Sequence, residues 1–240
     1  MAKKSDRPFA AFDLDGTLIR WQLYHATTDE MVSRGFIKPE SYKAMRDARM
    51  AWKRRSGASF RDYEIEVIGI YDDVIKSLDF EQVDTVIDAV FDKYKDQVYT
   101  YTRDLLAKLK SQGYLLFAIS GSQIEIVAKI AQYYGFDDYA GSVYERTAEG
   151  FSGEKTIGAL FKDKTMKELV AKHKATYGGS MAIGDSHSDI AMLQLVEQPI
   201  AFNPEASLFD YAKTRGWKIV IERKNVVIGL ESKNGQYQLV

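Results

Sequence analysis

The 240-residue chain has no cysteine, which excludes disulfide bonds, thiolate catalysis and any cysteine-ligated metal site. Its three histidines are scattered and offer no evident imidazole cage. No segment comes near the run of about 18 apolar residues that a membrane-spanning helix needs. The opening "MAKKSDRPFA" is basic but lacks the apolar stretch of a secretory signal, so a cytoplasmic protein is expected. Neither sign of charge dominates: Lys+Arg 33 against Asp+Glu 34 leave a net charge of -1. That balance gives no electrostatic reason to expect a nucleic acid or a membrane surface as partner. Internal repeats and low-complexity tracts are absent as well. What remains, 45% hydrophobic and 28% charged, is an ordinary folded chain long enough to bury a sizeable core.

The apolar residues are organised in two ways. "PFAAFDL" is a short run suited to a strand buried on both faces. From Trp21 to Tyr99 the pattern turns helical, with no convincing strand. One helix opens at Pro39 and stops near Gly57. Two more carry capping-box signals, one at Ser59 and Asp62 and one at Asp79 and Gln82. Strands and helices then alternate: "TRDLLAKLKSQG", "YLLFAIS", "IEIVAKIAQYYG", "TMKELVAKHKATYGG", "SMAIGD", "SDIAMLQLV", "PIAFN" and "WKIVIE". The tail reads as a hairpin turning at Asn234-Gly235. This order predicts an α/β protein with a Rossmann-like parallel sheet over residues 1–20 and 100–240, an all-helical cap inserted at residues 21–99, and a C-terminal β-hairpin. An insertion there sits over the carboxyl ends of the strands, where such sheets bind ligands.

Three of the buried strands end in unusual polar residues: Asp13-Leu-Asp15, Ser120-Gly121-Ser122, and Gly184-Asp185-Ser-His-Ser-Asp189. If those strands are neighbours, the groups converge at one edge. Asp13, Asp15 and Asp185 then form an all-oxygen cluster of the kind that suits Mg2+, a hard cation that shares its shell with phosphate. Ser120, with Gly121 and the start of a helix just beyond, is a ready seat for a phosphoryl group. A lysine is needed to neutralise such an anion beside carboxylates. Lys155, Lys162 and Lys164 all lie between the second and third strand ends, and Lys164, opening the helix that leads into the third strand, is expected to serve.

"FDLDGTL", "SGS", a lysine and "GDSHSDIAML" in this order resemble the haloacid dehalogenase superfamily of phosphohydrolases. The helical insertion after the first motif is similar to the branch containing phosphoserine phosphatase. The resemblance implies a Mg2+-dependent phosphatase acting on a small phosphorylated metabolite. Asp13 would be the nucleophile that becomes an aspartyl phosphate. Asp15 would be general acid and then base, with its backbone carbonyl on the metal. Ser120, Gly121 and Lys164 would hold the phosphoryl oxygens, and the lysine's distance from Asp185 favours 164 over 155. Asp185 would ligate the metal together with Asp13. Gly16, Thr17 and Asp189 would support the loops. Asp15 must be protonated at the first step, so an upward pKa shift from its carboxylate neighbours is expected. The alternatives are a phosphotransferase of the same fold and a non-catalytic phospholigand-binding relative; the intact residue set disfavours the latter.

Other polar residues have plainer readings. Lys155 reads as a surface lysine, and His187, His25 and His173 as residues outside the chemistry. Asn203 before Pro204 is either an edge of the site or a turn former. Arg46, Arg49 and Lys53 share a helical face that is either solvated or a basic patch for a second anionic group. Trp21, Tyr24, Trp52 and Phe60 read as packing residues, Tyr24 being near enough to the first motif to face a cavity. Phosphoserine itself is disfavoured as substrate. The resemblance would require a glutamate where this chain has Gln22 and a cap arginine where alignment on Phe60 puts Val67, and without them the charge-assisted bonds to an amino acid are lost.

Overall fold

The computed structural model describes residues 7–54, 60–148, 150–157 and 161–240, with the backbone alone for 60–62. Strand β1 (Pro8–Phe12) is followed by helices α1 (Leu23–Ser33), α2 (Pro39–Lys53), α3 (Phe60–Ile75) and α4 (Phe80–Tyr94). Next come α5 (Thr100–Ser111), β2 (Leu115–Gln123), α6 (Ile124–Tyr134) and the pair β3 (Asp138–Arg146) and β4 (Phe151–Ile157). The chain continues with α7 (Lys162–His173), β5 (Thr176–Gly184), the short α8 (Ile190–Leu193), β6 (Gln198–Phe202) and α9 (Ala206–Arg215). Strands β7 (Lys218–Arg223), β8 (Val226–Lys233) and β9 (Gln236–Leu239) complete it. The sheet order is β4-β3-β2-β1-β5-β6-β7-β8-β9. From β3 through β7 neighbours run parallel, and β4, β8 and β9 add antiparallel edges.

Why this sheet is covered on both sides is visible in β1, where Phe9, Ala10, Ala11 and Phe12 are all fully buried. Alternation sends Phe9 and Ala11 into one apolar cluster with Met166, Leu169 and Leu208, while Ala10 and Phe12 enter the other. β2 divides in the same way, Leu116 and Ala118 facing one side and Phe117 and Ile119 the other. The two alanines of β1 keep the centre thin enough for helices to pack closely on both faces.

The helical insertion leaves and rejoins the sheet through a paired neck. Ile19 bridges Val98, the Arg20 amide donates to the Gln97 carbonyl, and the Tyr99 amide donates to the Leu18 carbonyl. On this basis we propose that residues 21–99 form the cap. It is not separately cored: Leu23, Met31, Tyr71, Val86 and Ile87 belong to the same apolar cluster as Phe12, Leu116 and Ile183. Among the described residues, a small separate cluster forms between α2 and α3, around Met45, Tyr63 and Val67.

Local signals are realised where the residues are described. Asp79 and Gln82 form the reciprocal capping box of α4. Asn234 and Gly235 both take positive φ, 53° and 78°, in the two-residue turn between β8 and β9. The proposed stop at Gly57 and the Ser59–Asp62 cap lie outside the described residues and side chains. Two expectations need correction. The β3–β4 pair was not anticipated; its polar, glycine-containing strands stand at the sheet's edge and lack the apolar run that marks β1. The helix expected to begin at Thr165 begins at Lys162 instead, and its expected end, Thr176–Gly179, belongs to β5.

Candidate active site

β1 lies between β2 and β5, so the three polar strand ends meet at one edge of the sheet. This is the point where the sheet's order reverses, with β2 on one side of the first strand and β5 on the other. The Asp13 amide extends the ladder by donating to the Ile183 carbonyl at 3.0 Å, which fixes the direction of its side chain. Beyond it the chain turns at Gly16, where φ is +79° and a Cβ would lie 2.2 Å from Asp185 Oδ2. Only glycine fits there. Thr17 is fully buried, and its carbonyl accepts from Thr102 Oγ1 at 2.9 Å, so it braces the turn through the backbone.

Asp13 and Asp15 sit in different settings. Lys162 Nζ donates to Asp13 Oδ1 at 2.7 Å and to Asp189 Oδ1 at 2.6 Å, with both carboxylates and the ammonium buried. Asp15 accepts from Ser120 Oγ at 2.6 Å, from Ser122 Oγ at 3.0 and 3.1 Å, and from the Leu23 amide at 2.6 Å. Ser120 Oγ in turn accepts from the Ser122 amide at 2.9 Å. The end of β2 that carries these serines is backed by β3: Ser142 Oγ donates to the Gly121 carbonyl at 2.6 Å, and Gly141 allows a backbone approach that a Cβ, 2.8 Å from the Ser122 carbonyl oxygen, would block.

Lys162 takes the place expected for Lys164. The two are about 200° apart on a helix. Lys162 shares the buried face of α7 with Met166, Leu169 and Val170, whereas Lys164 is exposed. That register was available in the sequence, since 162, 166, 169 and 170 form one helical stripe; placing the helix start at Thr165 concealed it. Ser122 also went unremarked as a site residue. Its signal was the i, i+2 spacing from Ser120, which puts two hydroxyls on one side of an extended chain.

Asp189 organises the third strand end. Its Oδ2 accepts from the amides of Asp185 and Ser186 at 3.1 and 2.9 Å and from Ser186 Oγ at 3.0 Å. Both its oxygens are therefore engaged. Asp13, Asp185 and Asp189 each bring a carboxylate oxygen within 4.8 Å of the others. Asp13 Oδ2 and the Asp185 carboxylate receive no hydrogen bond from the described residues, so these atoms are the ones placed to take a cation. Burial raises the Asp13 pKa to about 7, with Lys162 opposing and Asp189 and Asp15 adding to the rise. Burial also pushes Asp185 well above the carboxylate range, reinforced by Asp13 and Asp189. In Lys162 burial works against the charge, and the two aspartates more than offset it. A cluster of oxygen donors with more negative charge than one lysine balances fits a hard divalent cation. Asp15 is raised too, but the cause is burial, moderated by its three donors, and not its carboxylate neighbours as expected.

The remaining candidates fall away from the chemistry. Lys155 is no surface lysine: its ammonium bonds both oxygens of Asp72, at 2.6 and 2.7 Å, and joins β4 to α3. Tyr24 of α1 meets Tyr144 of β3 beside this pair at 3.1 Å. Arg49 turns inward to Asp29 and Tyr63, leaving Arg46 and Lys53 exposed. Asn203 is a turn former, with φ +42° and its Oδ1 accepting from the Glu222 amide. His25 is buried in the cap, His173 pairs with Asp138, and His187 is exposed. Val67 is sealed against Met45 and Tyr63. No helix of the described residues is long and apolar enough to cross a membrane.

Phosphoserine phosphatase SerB1 of Mycobacterium tuberculosis is 30% identical over 144 residues, covering 57% of this chain and 46% of that protein. A histidinol-phosphatase of Neisseria meningitidis is 23% identical, covering 88% of this chain and 97% of that protein. The chain spans about half the length of the mycobacterial relatives, 46–50% of each. Among solved structures, a protein of unknown function from Bordetella pertussis Tohama I matches with a TM-score of 0.71 at 20% identity, covering 91% of this chain and 99% of that one. A phospho-aspartyl intermediate analogue of phosphoserine phosphatase matches with 0.65 at 17% identity, covering 92% and 96%. The model of haloacid dehalogenase-like hydrolases matches residues 10–194, a span that contains all three polar strand ends and helices α1 to α4. The chain belongs to the haloacid dehalogenase-like hydrolase family.

Proposed function

We propose that the protein is a Mg2+-dependent phosphomonoesterase that works through an aspartyl phosphate on Asp13. The observation that carries this reading is the separate tethering of two aspartates one residue apart, Asp13 by a lysine and Asp15 by hydroxyls and an amide. The ammonium beside Asp13 favours its anion, and burial of Asp15 favours a proton there. A carboxylate oxygen of Asp13 attacks phosphorus and the bond from phosphorus to the leaving oxygen breaks, while Asp15 gives that oxygen its proton. Asp15 then takes a proton from water as the water oxygen attacks phosphorus. Asp13 is released and inorganic phosphate leaves. Lys162 neutralises charge beside Asp13 throughout, and Gly16 and Asp189 keep Asp185 facing it. Mg2+ held by Asp13, Asp185 and the Asp15 carbonyl would offset the charge on the phosphoryl oxygens. The cap, resting over the strand ends, keeps bulk water out.

The substrate is a small phosphomonoester. Relatives named for phosphoserine and for histidinol phosphate define the first compounds to test. Gln22 and the buried Val67 weigh against the former. The experiment is phosphate release from p-nitrophenyl phosphate and a panel of metabolite phosphomonoesters including these two, with Mg2+ or with EDTA, beside Asp13→Asn. Turnover that requires Mg2+ and vanishes in the variant is the expected result. No release from any compound by folded, Mg2+-loaded protein would remove the hydrolase reading.

A further inference from the structure

The Ser120 hydroxyl, expected on the phosphoryl group, is committed elsewhere. A serine hydroxyl has one proton to donate and two lone pairs. The Ser120 proton goes to Asp15 Oδ2 at 2.6 Å, and one lone pair takes the Ser122 amide at 2.9 Å. Ser120 therefore cannot give a hydrogen bond to an oxyanion while it holds Asp15. Ser122 Oγ, 3.0 and 3.1 Å from the two Asp15 oxygens, makes a second hydroxyl bond to the same carboxylate. Both serines are buried, at 0 and 2% exposure, so neither bond is shared with bulk solvent. Asp15 thus has one more hydroxyl donor than it needs to stay oriented.

We propose that Ser122 is the positioning residue for Asp15, keeping its carboxylate in place when the Ser120 proton turns to an incoming phosphoryl oxygen. This rests on the phosphomonoesterase reading and adds a residue to it. The exchange needs only rotation about one C–O bond of Ser120. The Ser122 amide keeps its bond to Ser120 Oγ throughout, which holds the oxygen still while its proton moves. The Leu23 amide, 2.6 Å from Asp15 Oδ1, remains as the second fixed donor. The division of labour separates the two serines by effect. Ser120 binds phosphate and so affects both KM and kcat, whereas Ser122 acts on the orientation of the acid and affects kcat.

The test pairs kinetics with a structure. With the best phosphomonoester of the panel, Ser122→Ala is expected to lower kcat roughly 10-fold or more, the scale of one hydrogen bond to a charged group, with KM within about twofold of wild type. Ser122→Thr, which retains the hydroxyl, is expected to recover most of that loss, and Ser120→Ala to raise KM as well. A crystal structure with Mg2+ and orthovanadate is expected to show Ser120 Oγ on a vanadate oxygen and Ser122 Oγ still on Asp15. Full activity in Ser122→Ala, or a structure in which Ser122 turns to the vanadate and Ser120 stays on Asp15, would overturn the assignment while leaving the hydrolase intact. A wild-type protein that hydrolyses nothing and binds no vanadate would remove the hydrolase reading first, and this assignment with it.

Discussion

Lys162 Nζ lies 2.7 Å from Asp13 Oδ1, with both side chains almost wholly out of water. The ammonium also reaches Asp189, so one cation holds the end of β1 to the loop after β5. Removing it leaves two buried carboxylates unpaired, a loss of about 3–5 kcal/mol in comparable cases. Lys162→Ala should therefore unfold at markedly lower denaturant and lose activity by two orders of magnitude or more. Lys164→Ala, on the exposed face of the same helix, should match wild type in both within about twofold. Chemical denaturation and phosphate release on the two variants check this, and an inactive Lys164→Ala would mean the wrong lysine has been assigned.

Gly16→Ala addresses the other side of the cluster. The new methyl would sit 2.2 Å from Asp185 Oδ2, and φ at this position is +79°. Backbone strain and the clash act together, so Asp185 must move to accommodate the change. The expected outcome is a loss of about 2 kcal/mol or more in stability and at least a tenfold higher Mg2+ concentration for half-maximal activity. Thermal melts and Mg2+ titrations measure both. An unchanged Mg2+ requirement would separate Asp185 from the cation site.

Much of this was legible in the sequence, for an identifiable reason. A strand buried on both faces, such as "PFAAF", must be apolar throughout, and the polar residues that end it then stand out. Asp13, Asp15, Ser120 and Asp185 were visible on that contrast alone. Lys162 was not, because its position depends on where α7 begins, and helix ends are less well marked than helix faces. The shared core of cap and sheet was also hidden. Periodicity shows that Tyr71 and Val86 face something apolar, but which element covers them is set by the tertiary fold. Lys155 looked like a surface residue for the same reason: its partner Asp72 lies 83 positions away, in a helix of the cap.

That Lys155–Asp72 pair is itself testable. The lysine side chain is 11% exposed and the aspartate 27%, and Tyr144 donates to the same Asp72 oxygen at 2.5 Å. Losing one partner strands the other in the seam between α3 and β4. Lys155→Met should cost about 2–3 kcal/mol, and Asp72→Asn a similar amount. The double variant should cost clearly less than the sum, a coupling of about 1 kcal/mol or more. A double-mutant cycle by urea denaturation measures it. Strict additivity would show that the pair contributes nothing beyond its separate side chains.

The cap also contains a group whose protonation opposes folding. His25 is buried on α1, its ring 4.6 Å from that of Tyr63 and 6.3 Å from that of Trp21. Burial, with a smaller contribution from the Arg49 guanidinium, lowers its pKa from 6.5 to about 3. Above pH 6.5 the imidazole is neutral both folded and unfolded, and it contributes no pH dependence. Between pH 6.5 and 3 the unfolded chain binds a proton that the native state refuses, so stability falls as pH falls, by about 1.4 kcal/mol per unit once well below 6.5. Carboxylates with raised pKa, Asp13 among them, act in the opposite direction, so the clean quantity is the difference between two proteins. His25→Phe keeps a ring between Tyr63 and Trp21 and removes the proton site. Its stability relative to wild type should rise by about 1–2 kcal/mol between pH 7.5 and pH 5, measured by urea denaturation at each pH. Parallel curves for the two proteins would show that His25 is free to take its proton in the native cap.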